Sequence, residues 1–136
     1  MQTIEEMNAY CRESLIGHLG IEITELAEGH VTASMPVDKR TIQPIGLLHG
    51  GATLALAETI AGIGSVAIVD AQKYGVVGME VNGNHIGNTD ANHVIGTATL
   101  LHRGRRTHVW DVRVVDENKS PISICRVTNM IIKKKE

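Results

Sequence analysis

The chain has no phenylalanine, one tryptophan, two tyrosines and two cysteines in 136 residues. Without Phe, the core must be built from aliphatic side chains, with Trp110, Tyr10 and Tyr74 as the ring anchors apart from the histidines. Cys11 and Cys125 lie far apart and form no CxxC, which excludes a disulfide scaffold and a paired-cysteine metal site. The seven histidines include no HxH or HExxH, so no metal site is expected. Neither sign of charge is in large excess: the net charge of -2 offers no electrostatic footprint for nucleic acid. The basic end Lys133–Lys135 reads as a solvated terminus. No secretory leader is apparent, and Glu5 and Glu6 stand near the start; with the two lone cysteines this points to a reducing cytosol. The length suits one domain, 1–136, with a sizeable core.

One stretch is short of charge to an unusual degree. From Gly50 to Val69 the chain reads GGATLALAETIAGIGSVAIV, and Glu58 is its only charged residue. The segment nearly reaches the length of a membrane span, but its Glu, Gly and Ala make it a poor one. It reads instead as the core helix of a soluble protein. Burying an ionised carboxylate is costly unless it is paired or used. Glu58 is thus either a structural acid or the acid of an active site. His49, Gly50 and Gly51 stand at the start of the same helix, where free amides attract negative charge. A carboxylate two turns below such an end makes acyl transfer the first chemistry to consider.

The rest of the chain reads as follows. Thr3 and Glu6 form a capping box, predicting one helix from about Ile4 to His18 with Ile4, Met7, Tyr10, Cys11 and Leu15 on its apolar face. Gly20–Leu26 and His30–Val37 read as strands around the turn Ala27-Glu28-Gly29. Asp38–Leu48 is a polar connection, and the long helix stops near Asp70–Gly75. Val76–Ile86, His93–Leu101, Thr107–Asp116 and Ile122–Ile132 are rich in Val, Ile and Thr and are separated by turn signals, which favours an antiparallel meander. A helix apolar on nearly every side must be covered on nearly every side. A curved sheet wrapped around it would do part of this, and a second copy the remainder.

The run Gln43-Pro44-Ile45-Gly46-Leu47-Leu48-His49-Gly50-Gly51, followed by Glu58, resembles the hotdog-fold thioesterases. The match is to the acyl-CoA group with Glu on the central helix. That group includes 4-hydroxybenzoyl-CoA, phenylacetate-pathway, 1,4-dihydroxy-2-naphthoyl-CoA and enterobactin-proofreading thioesterases. The resemblance runs from Met35-Pro36-Val37-Asp38-Lys39-Arg40 to Arg126, and takes in Val76–His85 and Val109-Trp110. It implies an α+β hotdog fold, an antiparallel sheet around a long central helix. It implies hydrolysis of an acyl-CoA, with CoA part of the substrate and no cofactor. Glu58 would be nucleophile or general base, and the Gly50 amide would polarise the thioester carbonyl. Gln43 and His49 would lie beside the thioester. The resemblance also implies a dimer or dimer of dimers, since the oxyanion side and the Glu come from different subunits. Gly51, Gly62, Asn84 and His85 are candidate substrate contacts, and Arg103, Arg105 and Arg106 candidate holders of the CoA phosphates. Two positions depart from the pattern. Ile45 stands where close relatives carry Phe, a change that widens an acyl pocket. Gly62 stands where many carry Ser or Thr, which removes hydroxyl help from Glu58.

Each candidate also has a plainer reading. Glu58 could bond a buried backbone group, Gly50 and Gly51 could allow close packing, and His49 could be a cap. Gln43 could be solvated, His85 a satisfied structural histidine, and the Arg103–Arg106 turn a solvated loop. Two other functions fit the same fold. A dehydratase of acyl-CoA or acyl-carrier protein would carry a Phe-Pro-Gly or Asp-x-Asn-Pro-x-His run, and neither occurs. A non-catalytic acyl-CoA-binding domain in the known arrangement is joined to a DNA-binding segment, for which this chain has no room.

Overall fold

The computed structural model describes residues 2–135. Helices α1 (Ile4–Cys11) and α2 (Leu15–His18) precede strands β1 (Glu22–Ala27) and β2 (His30–Pro36). Helix α3 (Gly50–Ile68) follows, then β3 (Tyr74–His85), β4 (His93–Arg103), β5 (Thr107–Asp116) and β6 (Pro121–Lys133). All six strands form one antiparallel sheet in the order β1-β2-β4-β5-β6-β3. The sheet curls around α3, giving the expected α+β architecture.

The expected helix over 4–18 is two helices. The Thr3 capping box forms as read. Ser14 then breaks the run: its hydroxyl donates to the Cys11 carbonyl at 2.6 Å and accepts the Ile16 amide at 3.3 Å, capping α2. Serine near its own backbone competes with the helical ladder in this way. Of the expected apolar face only Met7 and Cys11 are buried; Tyr10 is 81% exposed and Leu15 is exposed as well. Tyr10 and Tyr74 are therefore not core anchors, whereas Trp110 is fully buried.

The meander holds only for β4-β5-β6. β3 pairs with β6, from Tyr74↔Lys133 to His85↔Ser123, and occupies the sheet edge. The turn signals at Gly87–Asp90 sit in a crossing, not a hairpin: residues 86–92 pass over the ends of β5 and β6 to reach β4. That span is about 14 Å at the usual strand spacing, within reach of an extended segment of this length.

Helix α3 is long and apolar enough by composition to cross a bilayer, but half of it is buried within the protein. Leu56, Ala57, Ile60 and Ala61 are fully buried and meet β2, β4, β5 and β6 residues such as Met35, Val94, Val112 and Val127. Small residues let the sheet close in. A methyl on Gly64 would overlap the Trp110 ring, and one on Gly96 would come within 3.1–3.2 Å of Ile60 and Leu56. A buried polar knot ties the helix to the sheet. The Ser65 hydroxyl accepts the Trp110 indole N–H at 2.9 Å and an Asn129 amide N–H at 3.0 Å, and lies 3.1 Å from His108 Nδ1. Its own proton goes to that nitrogen, because a hydroxyl has two lone pairs and one proton. Burial first, then the charges of Arg103 and His102, hold His108 below the ordinary imidazole value, in keeping with this neutral acceptor role. The opposite face of α3 is uncovered: Gly51, Glu58 and Val66 are exposed.

Candidate active site

The approach loop is shaped by backbone bonds. Ile42 and Leu48 form an antiparallel bridge, the Gln43 amide donates to Leu47 C=O at 2.8 Å, and the Gly46 amide donates to Gln43 C=O at 2.9 Å. Gly46 has φ +85°, a left-handed conformation that only glycine adopts freely, so the loop reverses there. Ile45 stands at its tip, 72% exposed in the single chain.

His49 is the N-cap of α3. Its Nδ1 accepts the Gly51 amide at 2.8 Å, and its carbonyl accepts the amides of Ala52 and Thr53 at 3.0 and 3.2 Å. The first amides of a helix have no partner within it. Here three are satisfied, and the Gly50 amide has no acceptor among the described residues. A Cβ on Gly50 would lie 2.6 Å from His85 Nε2, so a side chain there would push the imidazole aside. A cleft of about 110 Å³ at this end is lined by Gly50, Gln43, Thr53, His85 and Asn88. The structure thus brings Gln43, Gly50 and His85 together. Asn84 is exposed beside them and contributes its carbonyl to Ser123.

Glu58 lies two turns further on. It was expected in an apolar burial, yet in the single chain it is exposed, because the face of α3 that bears it is the uncovered one. Among the described residues it takes part in no ion pair or side-chain hydrogen bond. Its carboxylate rests against Gly78 of β3, so closely that a Cβ on Gly78 would overlap Oε1. Glu58, Thr59, Gly62, Ala55 and Gly78 line an apolar groove of about 380 Å³, together with Met7, Tyr10 and Leu15 of the first two helices. Gly62 opens this groove: a Cβ there would meet nothing within 4 Å. Gly50 and Glu58 of one chain therefore face different clefts, about 12 Å apart along the helix.

The basic turn sits at the far end of α3. Arg103 donates to Glu28 and to the Ile68 carbonyl, both at 2.9 Å, and so closes the helix C-terminus. Arg105 and Arg106 are exposed, and Arg105 borders a cleft of about 240 Å³ with His108, Asp70 and Tyr74. Among the described residues no group of three His, Cys, Asp or Glu side chains could hold a metal.

Two features escaped the sequence reading. Ser123, 2% exposed, contacts His85, and the Ser65 knot fastens α3 to β5 and β6. The first follows from the β3–β6 pairing, which sequence periodicity does not reveal. The second had a faint signal: a lone serine inside an apolar helix requires polar company.

A sequence model of the thioesterase superfamily matches residues 45–122. A mutant thioesterase from Pseudomonas aeruginosa has a solved structure that superposes with a TM-score of 0.95 at 40% identity, covering 98% of this chain and 96% of that one. A thioesterase from Haemophilus influenzae gives 0.95 at 37% identity, covering 100% and 94%. The 1,4-dihydroxy-2-naphthoyl-CoA hydrolase of Escherichia coli is 36% identical over 96% of this chain and 95% of its own length.

Proposed function

This chain belongs to the thioesterase superfamily, and we propose that it hydrolyses an acyl-CoA thioester, aromatic or medium-chain in its acyl part, to the free acid and CoA. The observation that carries this reading is the single unsatisfied amide at the start of α3, that of Gly50, in a cleft with Gln43 and His85. A preorganised N–H at a helix start is suited to a carbonyl oxygen that gains charge. Glu58 supplies the attacking group, either directly as nucleophile or as the base that removes a proton from water, and CoA leaves as its thiolate. The chemistry needs no metal or organic cofactor. The two free cysteines fit a cytosolic setting.

The working unit is a dimer, and two dimers can associate further. β3 is a long edge strand with Val77 and Met79 exposed, and an open edge of this kind is a template for pairing. Antiparallel pairing of two β3 edges about a two-fold axis sets the first half of one strand, which holds Gly78, beside the His85 half of the other. Glu58 of one copy is thereby carried toward Gly50 and Gln43 of its mate, joining clefts that one chain keeps apart. The same pairing covers the bare face of α3.

The test is a panel of CoA thioesters followed by release of free thiol, with Glu58→Gln alongside. The wild type should turn over at least one of them. The variant should fold normally and lose at least about 100-fold in kcat. Retention of most of the rate in a folded Glu58→Gln protein would remove Glu58 from the mechanism. An active monomer by light scattering at assay concentration would remove the shared site.

A further inference from the structure

We infer that Ser123 is a positioning residue that holds His85 in its Nδ1-protonated form and so presents Nε2 to the active-site cleft as an acceptor beside Gly50. This rests on the function proposed above. His85 and Ser123 face each other across the β3–β6 ladder. His85 Nδ1 lies 3.0 Å from Ser123 Oγ, and Ser123 Oγ lies 3.1 Å from the Asn84 carbonyl oxygen.

The protons on this chain of contacts have one consistent arrangement. A carbonyl only accepts, so the single Ser123 proton points to Asn84 C=O. Oγ is then an acceptor toward His85, and Nδ1 must carry the hydrogen. Were Ser123 to donate to Nδ1 instead, two oxygens would face each other at 3.1 Å with no proton between them. Cys125 Sγ, 3.4 Å from Oγ, fits as a second donor. Burial raises its thiol pKa and keeps the S–H in place. Ser123 is thus saturated, with one hydrogen given and two accepted, and it is itself buried. It cannot turn away without leaving a polar atom unmet.

The consequence falls on the other ring nitrogen. With Nδ1–H fixed, the lone pair of the neutral ring sits on Nε2. That atom faces Gly50, within the cleft shared with Gln43. A bare Nε2 cannot donate to the thioester oxygen. It is instead an acceptor for an O–H or N–H of water or substrate, next to the amide donor of Gly50. Acceptor and donor side by side give the cleft a polarity that orients what enters it. A histidine ligand oriented by its other ring nitrogen follows the same logic.

The direct test is long-range ¹H–¹⁵N correlation on the wild-type protein in alkaline buffer, which reads the protonated nitrogen of the neutral ring. The Nδ1-H form is expected for His85; the Nε2-H form would overturn the inference. Ser123→Ala should let the ring sample both forms and lower kcat/KM by about 10- to 100-fold, by analogy with partners that orient metal-bound histidines. Ser123→Thr, which keeps the hydroxyl, should restore both. In a His85→Ala background, Ser123→Ala should cost little more, since it acts through that ring. Additive losses, or a Ser123→Ala protein of full activity, would reduce Ser123 to a packing residue. The ring measurement needs no substrate. A wild-type protein inert toward every CoA thioester would therefore strike the proposed function and leave the tautomer question answered separately.

Discussion

Replacing Gly78 by alanine should separate activity from stability. Gly78 is not among the glycines with positive φ, which are Gly20, Gly29 and Gly46, so its backbone suits alanine. Alanine in a compatible position stabilises by about 0.4–1 kcal/mol, because it narrows the unfolded ensemble. The added Cβ would overlap the Glu58 carboxylate and no other atom so closely. The obstacle is the free end of a flexible side chain, so the carboxylate yields and the strand does not. To regain van der Waals contact it must move by roughly 1 Å, and a misplacement of that size at a reacting group costs about 100-fold in rate. In barrier terms this is about 2.7 kcal/mol. Thermal unfolding should give a melting point equal to or slightly above that of the wild type, while thiol release from acyl-CoA should fall about 100-fold in kcat. A kcat within about threefold of wild type would refute the reasoning, since it would mean that the position of the Glu58 carboxylate against β3 does not set the rate.

Ser65→Ala should cost about 2–4 kcal/mol in urea unfolding, because the Trp110 indole N–H and His108 Nδ1 lose their partner in the core. Adding Trp110→Phe should recover part of that loss, and a single-variant cost below about 0.5 kcal/mol would deny the knot its role. His108 has a folded pKa below its ordinary 6.5, so the unfolded ring binds a proton first. Its contribution is intact above about pH 6.5 and is lost as pH falls from there through the folded value. Urea midpoints should show this slope, and His108→Gln should flatten it. Arg105→Ala with Arg106→Ala should raise KM for acyl-CoA, more at low salt than at high, and leave kcat nearly unchanged. An unchanged KM would make the turn a solvated loop.

The parts of the site that sequence reading reached were those written in local chemistry. Glu58 is visible because no other charge shares its helix, and Gly50 because two glycines follow a histidine at a helix start. His49 caps α3 through its side chain, which fixes the ring at the helix entrance. What sequence reading missed depends on pairings made across the sheet. Period-two alternation assigns Val76–Ile86 to a strand but does not say which neighbour it takes. A meander would put β3 beside β4, whereas it lies beside β6. From that one placement follow the contacts Glu58–Gly78, Gly50–His85 and His85–Ser123. The exposure of Glu58 was hidden for a related reason. An apolar helix announces that it will be covered, but not whether the cover comes from its own chain. Adjacency in sequence groups Arg103 with Arg105, and the two border one cleft, but adjacency does not show that Arg103 also donates to the Ile68 carbonyl and to Glu28.

In the shared-site dimer proposed above, Gly50 and Glu58 of one chain would serve different clefts, so two disabled proteins should be able to repair one another. A chain lacking the Glu58 carboxylate keeps a sound amide end, and a chain altered at Gln43 keeps a sound acid. Mixed and allowed to exchange subunits, they form dimers in which one cleft receives both intact halves and the other receives both lesions. Random pairing would make roughly half the dimers mixed, and about one cleft in four whole. In a cell carrying two defective copies, that arithmetic would be inherited as partial activity where either copy alone gives almost none.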